Sequence, residues 1–480
     1  MTNSYYLTTT LPYVNSKPHV GFALEIIQAD VIARYHQILG EEVFFNTGTD
    51  EHGKKIFEKA QEEGKDTQAY TDEYAAKFDA LKTELNLSYN HFIRTTDPHH
   101  KQAAQELWKR CRDNGFIEKG TYSAKYCVGC ELEKTDSDLV DGKCPLHPNK
   151  VIELIEEENY FFKFSDPRIQ QALLAHMDKY PDFVMPAHRQ KEIRNFVEGG
   201  LQDFSISRLK DKMPWGVEVP NDPKHVMYVW FDALTNYIST IGWPEDMAAF
   251  EKYWGTKEEP KAIQVAGKDN LRQQSSMWQA MLFASDLPLT RQILIHGFIN
   301  SGGQKMSKSL GNVIDPLEYS QKYGTDSLRY YLLSKVSPFE DSDFTREKFE
   351  EVYKSDLQNG LGNLVARVAA MAAASEKFEV RSEKSKMSEE VVIALNEYKF
   401  DTAMESIWDK VRKADQFISE NQIWKMTGEE KTVALQRVIG EIRQIATDLQ
   451  PFLPTTASKI LAQYSQDKIV KSEPMFPRLV

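Results

Sequence analysis

The first fifty residues constrain the fold more than any other stretch of the chain. Tyr6-Leu7-Thr8-Thr9-Thr10-Leu11 is a β-branched and aromatic run, stopped by Pro12 and a turn through Asn15, Ser16 and Pro18. Leu24, Ile27, Val31, Tyr35 and Ile38 then recur at helical spacing up to Gly40, a stop signal for a helix. Glu42-Val43-Phe44-Phe45-Asn46-Thr47 follows as a second short strand, ending in the polar cluster Thr49-Asp50-Glu51-His52-Gly53. A strand, a helix and a strand in this order begin a parallel sheet, so the expected class is α/β. Strand-like runs at Val226-Met227-Tyr228-Val229-Trp230, Ala262-Ile263-Gln264-Val265-Ala266 and Gln292-Ile293-Leu294-Ile295 are expected to resume that sheet.

Two other stretches differ in character. From about Phe116 to Pro186 the chain holds three of its four cysteines, the acid run Glu156-Glu157-Glu158 and the aromatics Tyr160, Phe161 and Phe162, and reads as an insertion. From about Gly360 onward, Ala-rich and Leu-rich periodic segments broken by Gly360, Gly428 and Pro451 suggest a helical bundle. At 480 residues, 41% hydrophobic and 27% charged, the composition is that of a folded globular chain of about three units. It excludes disordered tails, fibrous repeats and small disulfide scaffolds.

The net charge is −12, but it is unevenly spread: from Leu361 to the end 17 basic residues balance 17 acidic ones. A polyanion needs local basic groups, not a basic average, so nucleic acid is not excluded as a partner. No uninterrupted apolar run approaches a membrane span, and Met1-Thr2-Asn3-Ser4-Tyr5-Tyr6 lacks the basic flank and apolar stretch of a signal peptide. No membrane partner is expected, and the expected compartment is the cytoplasm.

Three motifs carry chemistry. Pro18-His19-Val20-Gly21-Phe22 lies between a strand end and a helix start. Backbone N–H groups there favour an anion, Gly21 admits close approach, and His19 can donate to phosphate oxygens. Gly302-Gly303-Gln304-Lys305-Met306-Ser307-Lys308-Ser309-Leu310-Gly311-Asn312 is a glycine-flanked loop with two lysines three apart, able to close on a polyphosphate; taken alone it also fits a solvated basic turn. The third, Cys127-x-x-Cys130 followed by Cys144-x-x-His147, sets two knuckles of two ligands around a tetrahedral Zn²⁺. Four protein ligands fill the shell, so a structural zinc is expected. Cys111 stands apart as a small buried hydrophobe.

The order of these motifs resembles the class I aminoacyl-tRNA synthetases, and within them the methionyl family, over essentially the whole chain. The segments carrying the resemblance are Thr10-Leu11-Pro12-Tyr13-Val14-Asn15, Thr47-Gly48-Thr49-Asp50-Glu51-His52-Gly53, Tyr228-Val229-Trp230-Phe231-Asp232-Ala233, Gly267-Lys268-Asp269, and His296-Gly297-Phe298 leading into Lys305-Met306-Ser307-Lys308-Ser309. The resemblance implies a nucleotide-binding parallel sheet of Rossmann-like type, an inserted connective domain with a zinc knuckle, and a C-terminal α-helical bundle. The boundaries expected are 1–115 and 201–300 for the two catalytic halves, 116–200 for the insertion, 301–356 for a lysine-loop and stem-contact segment, and 357–480 for an anticodon-binding bundle.

The resemblance further implies ATP-dependent activation of methionine and its transfer to the 3′ end of tRNA, with ATP carried by Mg²⁺. Catalysis falls to His19, Gly21, Lys305 and Lys308. Gly267, Asp269, His296, Gly297 and Ser307 join them in holding ATP. Asp50 accepts the substrate ammonium, and Leu11, Tyr13, Trp230, Ala233, Tyr237 and Gln274 line the thioether pocket; read without the resemblance, the aromatics among them fit ordinary core. Arg208, in Ser205-Ile206-Ser207-Arg208, resembles an arginine that orders the active-site acids. Asn363, Arg367 and Trp424 match anticodon-reading positions, where an aromatic stacks on a splayed base. Two residues depart from the family pattern: Phe22 and Gln274 stand where histidines are usual, and Phe22 cannot donate a hydrogen bond. A related synthetase or a nucleotidyltransferase with another substrate, or an inactive tRNA-binding relative, are the alternatives. A monomer is the plainest expectation.

Overall fold

The computed structural model describes residues 3–479 except 16, 131, 135–137, 307–310, 375–385, 467–468 and 472. Its centre is a six-stranded parallel sheet in the order His91–Arg94, Glu42–Thr49, Ser4–Thr9, Ile263–Gly267, Gln292–His296, Val184–Met185. We label Ser4–Thr9 β1, Glu42–Thr49 β2 and the intervening helix Val20–Ile38 α1. β1 pairs with β2 on one side and with Ile263–Gly267 on the other, so the strand order reverses at β1. In open parallel sheets that reversal leaves a crevice beyond the carboxyl ends of the strands.

The expected periodicity of α1 holds as far as Tyr35: Leu24, Ile27, Val31 and Tyr35 are buried, whereas Ile38 in the last turn is exposed, and the chain leaves the helix through Leu39 and Gly40, whose φ is +83°. α1 is covered on more than its apolar stripe, since Glu25, Gln28 and Asp30 are also buried. Asp30 forms an ion pair of 2.7 Å with Arg329, neither side chain being exposed. Arg329 in turn donates from Nε to the Phe452 carbonyl at 2.7 Å, which ties α1 to the C-terminal helices.

The runs at 262–266 and 292–295 enter the main sheet as expected, but Val226–Trp230 does not. Asp222–Met227 pairs antiparallel with Ser207–Leu209 and Glu218–Val219 in a separate three-stranded sheet, and Val229–Leu234 is a helix. A short apolar run cannot distinguish a buried strand from a buried helix, and here the helical alternative wins from Val229 onward.

Within 116–200, Ile117–Cys127 and Ile152–Phe162 form a long antiparallel pair from Ile117 opposite Phe162 to Cys127 opposite Ile152. Val184–Met185, in the same stretch of sequence, instead forms the edge of the main sheet. Past that sheet, Ile299–Ser301 sits between Gln304–Lys305 and Ser342–Phe344 in a small sheet. The C-terminal helices Asn363–Ala373, Glu389–Asn396, Phe400–Glu420, Gly428–Leu449 and Pro454–Tyr464 pack through Val368, Ile407, Val411, Leu435, Ile442 and Ile460, all almost fully buried. No described helix is long and apolar enough to cross a membrane.

Candidate active site

The turn after β1 and the start of α1 form one wall of a cavity of about 620 Å³ at the strand-order reversal. His19 is the N-cap of α1, and its Nδ1 accepts from the Gly21 N–H at 3.1 Å. With Nδ1 accepting, the neutral ring carries its proton on Nε2. Desolvation by the surrounding protein lowers the His19 pKa from its ordinary value, against the pull of Asp269, and favours that neutral donor form. A methyl group at Gly21 would stand 3.0 Å from the imidazole, so glycine here gives the capping ring its room.

One turn further along α1 is Glu25, an acid buried on a largely apolar helix. Its Oε1 accepts from the Thr10 backbone N–H at 2.8 Å and from the Thr10 hydroxyl at 2.6 Å, and its Oε2 lies 3.1 Å from His296 Nε2. The other nitrogen of His296 is 2.7 Å from the Gly297 carbonyl. Both nitrogens therefore face acceptors. Burial disfavours the charged ring, but the Glu25 carboxylate and the Gly297 carbonyl outweigh it and raise the His296 pKa.

The opposite wall is built on Asp50, Trp230, Ala233 and Tyr237. Tyr13 and Asp50 sit side by side in a parallel bridge, fixed by Val14 N–H to the Asp50 carbonyl and Asp50 N–H to the Pro12 carbonyl at 3.1 and 3.0 Å. Gly53 lies against Tyr13 with φ at +119°, where an added Cβ would stand 2.3 Å from the phenolic oxygen. Gln274 Nε2 donates to Tyr237 Oη at 2.7 Å. Behind this wall, Asp232 is fully buried: its two oxygens accept from His52 Nδ1 at 2.6 Å and His100 Nε2 at 2.9 Å. Burial alone would raise the Asp232 pKa, but the two imidazoles hold it down at about 2.

The third side comes from Gly267 and Asp269 at the end of a central strand, and from Gly297, Phe298 and Lys305. An added Cβ at Gly297 would meet the Glu340 backbone at 2.2 Å. The exposed Lys305 ammonium stands 5.1 Å from the Phe298 ring centre, and Lys268 stands 4.5 Å from the same ring. Leu11, Tyr13, His19, Gly21, Asp50, Trp230, Ala233, Tyr237, Gly267, Asp269, Gln274, His296, Gly297 and Lys305 thus all line one cavity. Ser307 and Lys308 lie outside the described residues. Phe22 also lines the cavity, edge-on to Phe78 with ring centres 5.4 Å apart. Arg208 is not among the lining residues; it donates to Ser205 Oγ at 2.8 Å, and its guanidinium stands 4.5 Å from the ring centre of Tyr228, which directly precedes the lining residues Val229 and Trp230.

Two further groups lie apart from the cavity. The ligand atoms of Cys127, Cys130, Cys144 and His147 fall within 4.8 Å of one another, with Cys130 Sγ 3.4 Å from Cys144 Sγ and 3.2 Å from His147 Nδ1. Three sulfurs and an imidazole at such separations suit a tetrahedral zinc with metal–sulfur bonds of about 2.3 Å. Gly129 lets the knuckle close, since a Cβ there would be 2.3 Å from the His147 ring. In the C-terminal helices, Trp424 is 49% exposed, so it is not core packing. Arg367 stands 5.9 Å from its ring centre and is ion-paired with Asp415 at 2.6 Å; Asn363 is exposed.

Sequence reasoning missed Glu25, Thr10 and the His52–Asp232–His100 cluster. The available signal was an acid inside an apolar run, at Glu25 in α1 and at Asp232 beside Phe231 and Ala233.

The family model described as tRNA synthetases class I (M) matches residues 5–153 and 147–369. A methionine–tRNA ligase of Thermosynechococcus vestitus is 40% identical, the alignment covering 96% of this chain and 90% of that one. A solved structure of the Mycobacterium tuberculosis methionyl-tRNA synthetase in complex with methionyl-adenylate superposes with a TM-score of 0.90 at 34% identity, covering 99% of this chain and 100% of the other. The apo form of that synthetase superposes with a TM-score of 0.84 at 32% identity, covering 100% and 99%. A family model matched over most of the sequence, and relatives of this identity over nearly all of it, establish that the chain belongs to the class I tRNA synthetases of the methionine–tRNA ligase family.

Proposed function

We propose that the chain activates L-methionine with ATP and transfers it to the 3′ end of its tRNA. A methionine carboxylate oxygen attacks the α-phosphorus of ATP; the bond from that phosphorus to the bridging oxygen breaks, and pyrophosphate leaves with the electron pair. A ribose hydroxyl of the terminal adenosine then attacks the carbonyl of the adenylate, and AMP leaves. The convergence of His19 and Lys305 on one cavity, from positions far apart in sequence, carries this reading.

In this reading the Nε2–H of His19 and the N-terminus of α1 bind phosphate oxygens, and Lys305 with Lys308 neutralises charge building on the leaving pyrophosphate. Mg²⁺ bound with ATP adds positive charge there. Gly267, Asp269, His296, Gly297 and Ser307 hold the nucleotide. Asp50 takes the ammonium, while Leu11, Tyr13, Trp230, Ala233, Tyr237 and Gln274 enclose the thioether, whose sulfur makes favourable contacts with aromatic edges. Cys127, Cys130, Cys144 and His147 hold one Zn²⁺ that stabilises the insertion and leaves no open position for substrate. Asn363, Arg367 and Trp424 read the anticodon, with Trp424 stacking on a base. The enzyme works as a monomer in the cytoplasm.

Methionine-dependent exchange of pyrophosphate into ATP tests the proposal. Lys305→Ala should lower kcat by about 10²–10³-fold. Exchange driven only by another amino acid would sink the substrate assignment. Binding of tRNA without adenylate formation would favour the inactive reading, which draws on the phenyl group of Phe22 where a donor is usual.

A further inference from the structure

Lys305 leaves the body of the protein on a hairpin whose tip is held sparsely. Asn300 pairs with Lys305 and Ser301 with Gln304, so Gly302 and Gly303 form the two-residue turn, with φ at +61° and +76°. Positive φ at both positions is the hairpin turn that matches strand twist. Neither glycine has any heavy atom within 4 Å of where a Cβ would stand, so the tip is not packed against the protein. Among the described residues, one hydrogen bond ties it to another element: the Gly303 N–H donates to Asp343 Oδ1 at 2.7 Å.

Asp343 is linked to Lys305 through one shared register partner. Asn300 is the register partner of Asp343 on one side and of Lys305 on the other. Residues directly opposite in a sheet project to the same face, so Asp343, Asn300 and Lys305 form one rung. Just ahead of these paired strands a second aspartate acts in a similar way: Asp341 accepts from the Phe298 N–H at 2.9 Å and pairs with Lys268 at 2.7 Å. Lys268 therefore has a carboxylate partner. Lys305 makes no ion pair among the described residues and stands over the Phe298 ring, facing the cavity.

We propose that Asp343 is a positioning residue for the reaction: by capping the Gly303 N–H it fixes the hairpin tip, and through the Asp343–Asn300–Lys305 rung it sets where the Lys305 ammonium meets the pyrophosphate. This rests on the methionine-activation reading for the role of Lys305. Asp343 is not among the residues that line the cavity. Its contribution is made to the geometry of a cation that acts in the transition state, so its loss falls on kcat and not on methionine binding.

The test compares Asp343→Ala, which removes the acceptor, with Asp343→Asn, which keeps Oδ1, in methionine-dependent pyrophosphate exchange on the full chain. Asp343→Ala should lower kcat about tenfold with the methionine KM changed less than about twofold, and Asp343→Asn should stay within about threefold of the parent. In a Lys305→Ala background, Asp343→Ala should cost much less than in the parent, because the group it positions is already gone. Amide hydrogen exchange of the peptide spanning 299–306 should rise in Asp343→Ala without any substrate present. Equal losses in the Ala and Asn variants, full additivity with Lys305→Ala, or unchanged exchange at the hairpin would each overturn the inference. A parent chain with no methionine-dependent exchange would overturn the functional reading instead, and the hydrogen-exchange comparison would still decide whether Asp343 holds the tip.

Discussion

Removing the Asp232 carboxylate should loosen the methionine side of the cavity and destabilise the protein by several kcal/mol. Asp232 is fully buried, and its oxygens lie 2.6 Å from His52 Nδ1 and 2.9 Å from His100 Nε2. Asp232→Ala leaves two buried imidazole nitrogens without an acceptor, at about 1–3 kcal/mol each, for a loss of about 3–5 kcal/mol. Titration supplies a second route to the size of the effect. The folded-state pKa of about 2, against an ordinary 3.8, corresponds to about 2 kcal/mol of stability from the ionised form. Because the folded value is depressed, this contribution is fully present above the unfolded pKa and disappears as pH falls through the folded one. The gap between parent and variant should therefore narrow between about pH 4 and pH 2. Asp232→Asn keeps the volume and one acceptor oxygen and should lose about 2 kcal/mol, the share tied to the charge. Urea unfolding followed by tryptophan fluorescence at neutral pH measures both variants. The same network joins the loop bearing Asp50 to the helix bearing Trp230 and Ala233, so the methionine KM of Asp232→Asn should rise while the ATP KM holds. A loss below about 1 kcal/mol in Asp232→Ala, or a gap that does not narrow in acid, would refute the reasoning.

Two other perturbations reach distant parts of the chain. Cys127→Ser should release about one equivalent of zinc, seen by a colorimetric chelator, and open the segment around 127–150 to protease while the central sheet stays folded. Arg329→Met leaves Asp30 as a buried acid with one fewer cation and cuts the bond to the Phe452 carbonyl. It should cost about 3–5 kcal/mol in urea unfolding and lower tRNA charging more than pyrophosphate exchange.

The parts of the fold legible in the sequence were those with a local period. β1, α1 and β2 were readable because alternation and helical spacing act over a few residues, and the strands at 262–266 and 292–295 because their β-branched runs stand between turn signals. Val226–Trp230 misled because an apolar run carries no period, and its fate depended on Asp232 meeting His52 and His100 from elsewhere in the chain. The candidate site divides along the same line. His19, Lys305 and the cysteine knuckle announce themselves through spacing and chemistry. Glu25, which joins Thr10 to a histidine 271 positions away, does not, and neither does Asp343, since each needs a partner that only the folded chain supplies.

Yet these supporting acids leave a trace of their own. Glu25 and Asp30 in α1, and Asp232 in Phe231-Asp232-Ala233, are carboxylates set inside apolar runs, and all three are buried, at 5%, 0% and 0% exposure. An ionised acid on a buried face is tolerated only where fixed donors reach it, and each of these is reached by a cation or imidazole from a remote segment: His296, Arg329, and His52 with His100. Such an acid in an otherwise apolar period therefore marks where distant parts of this chain are joined, and here two of the three joints bear directly on the cavity walls while the third carries α1 to the helical bundle.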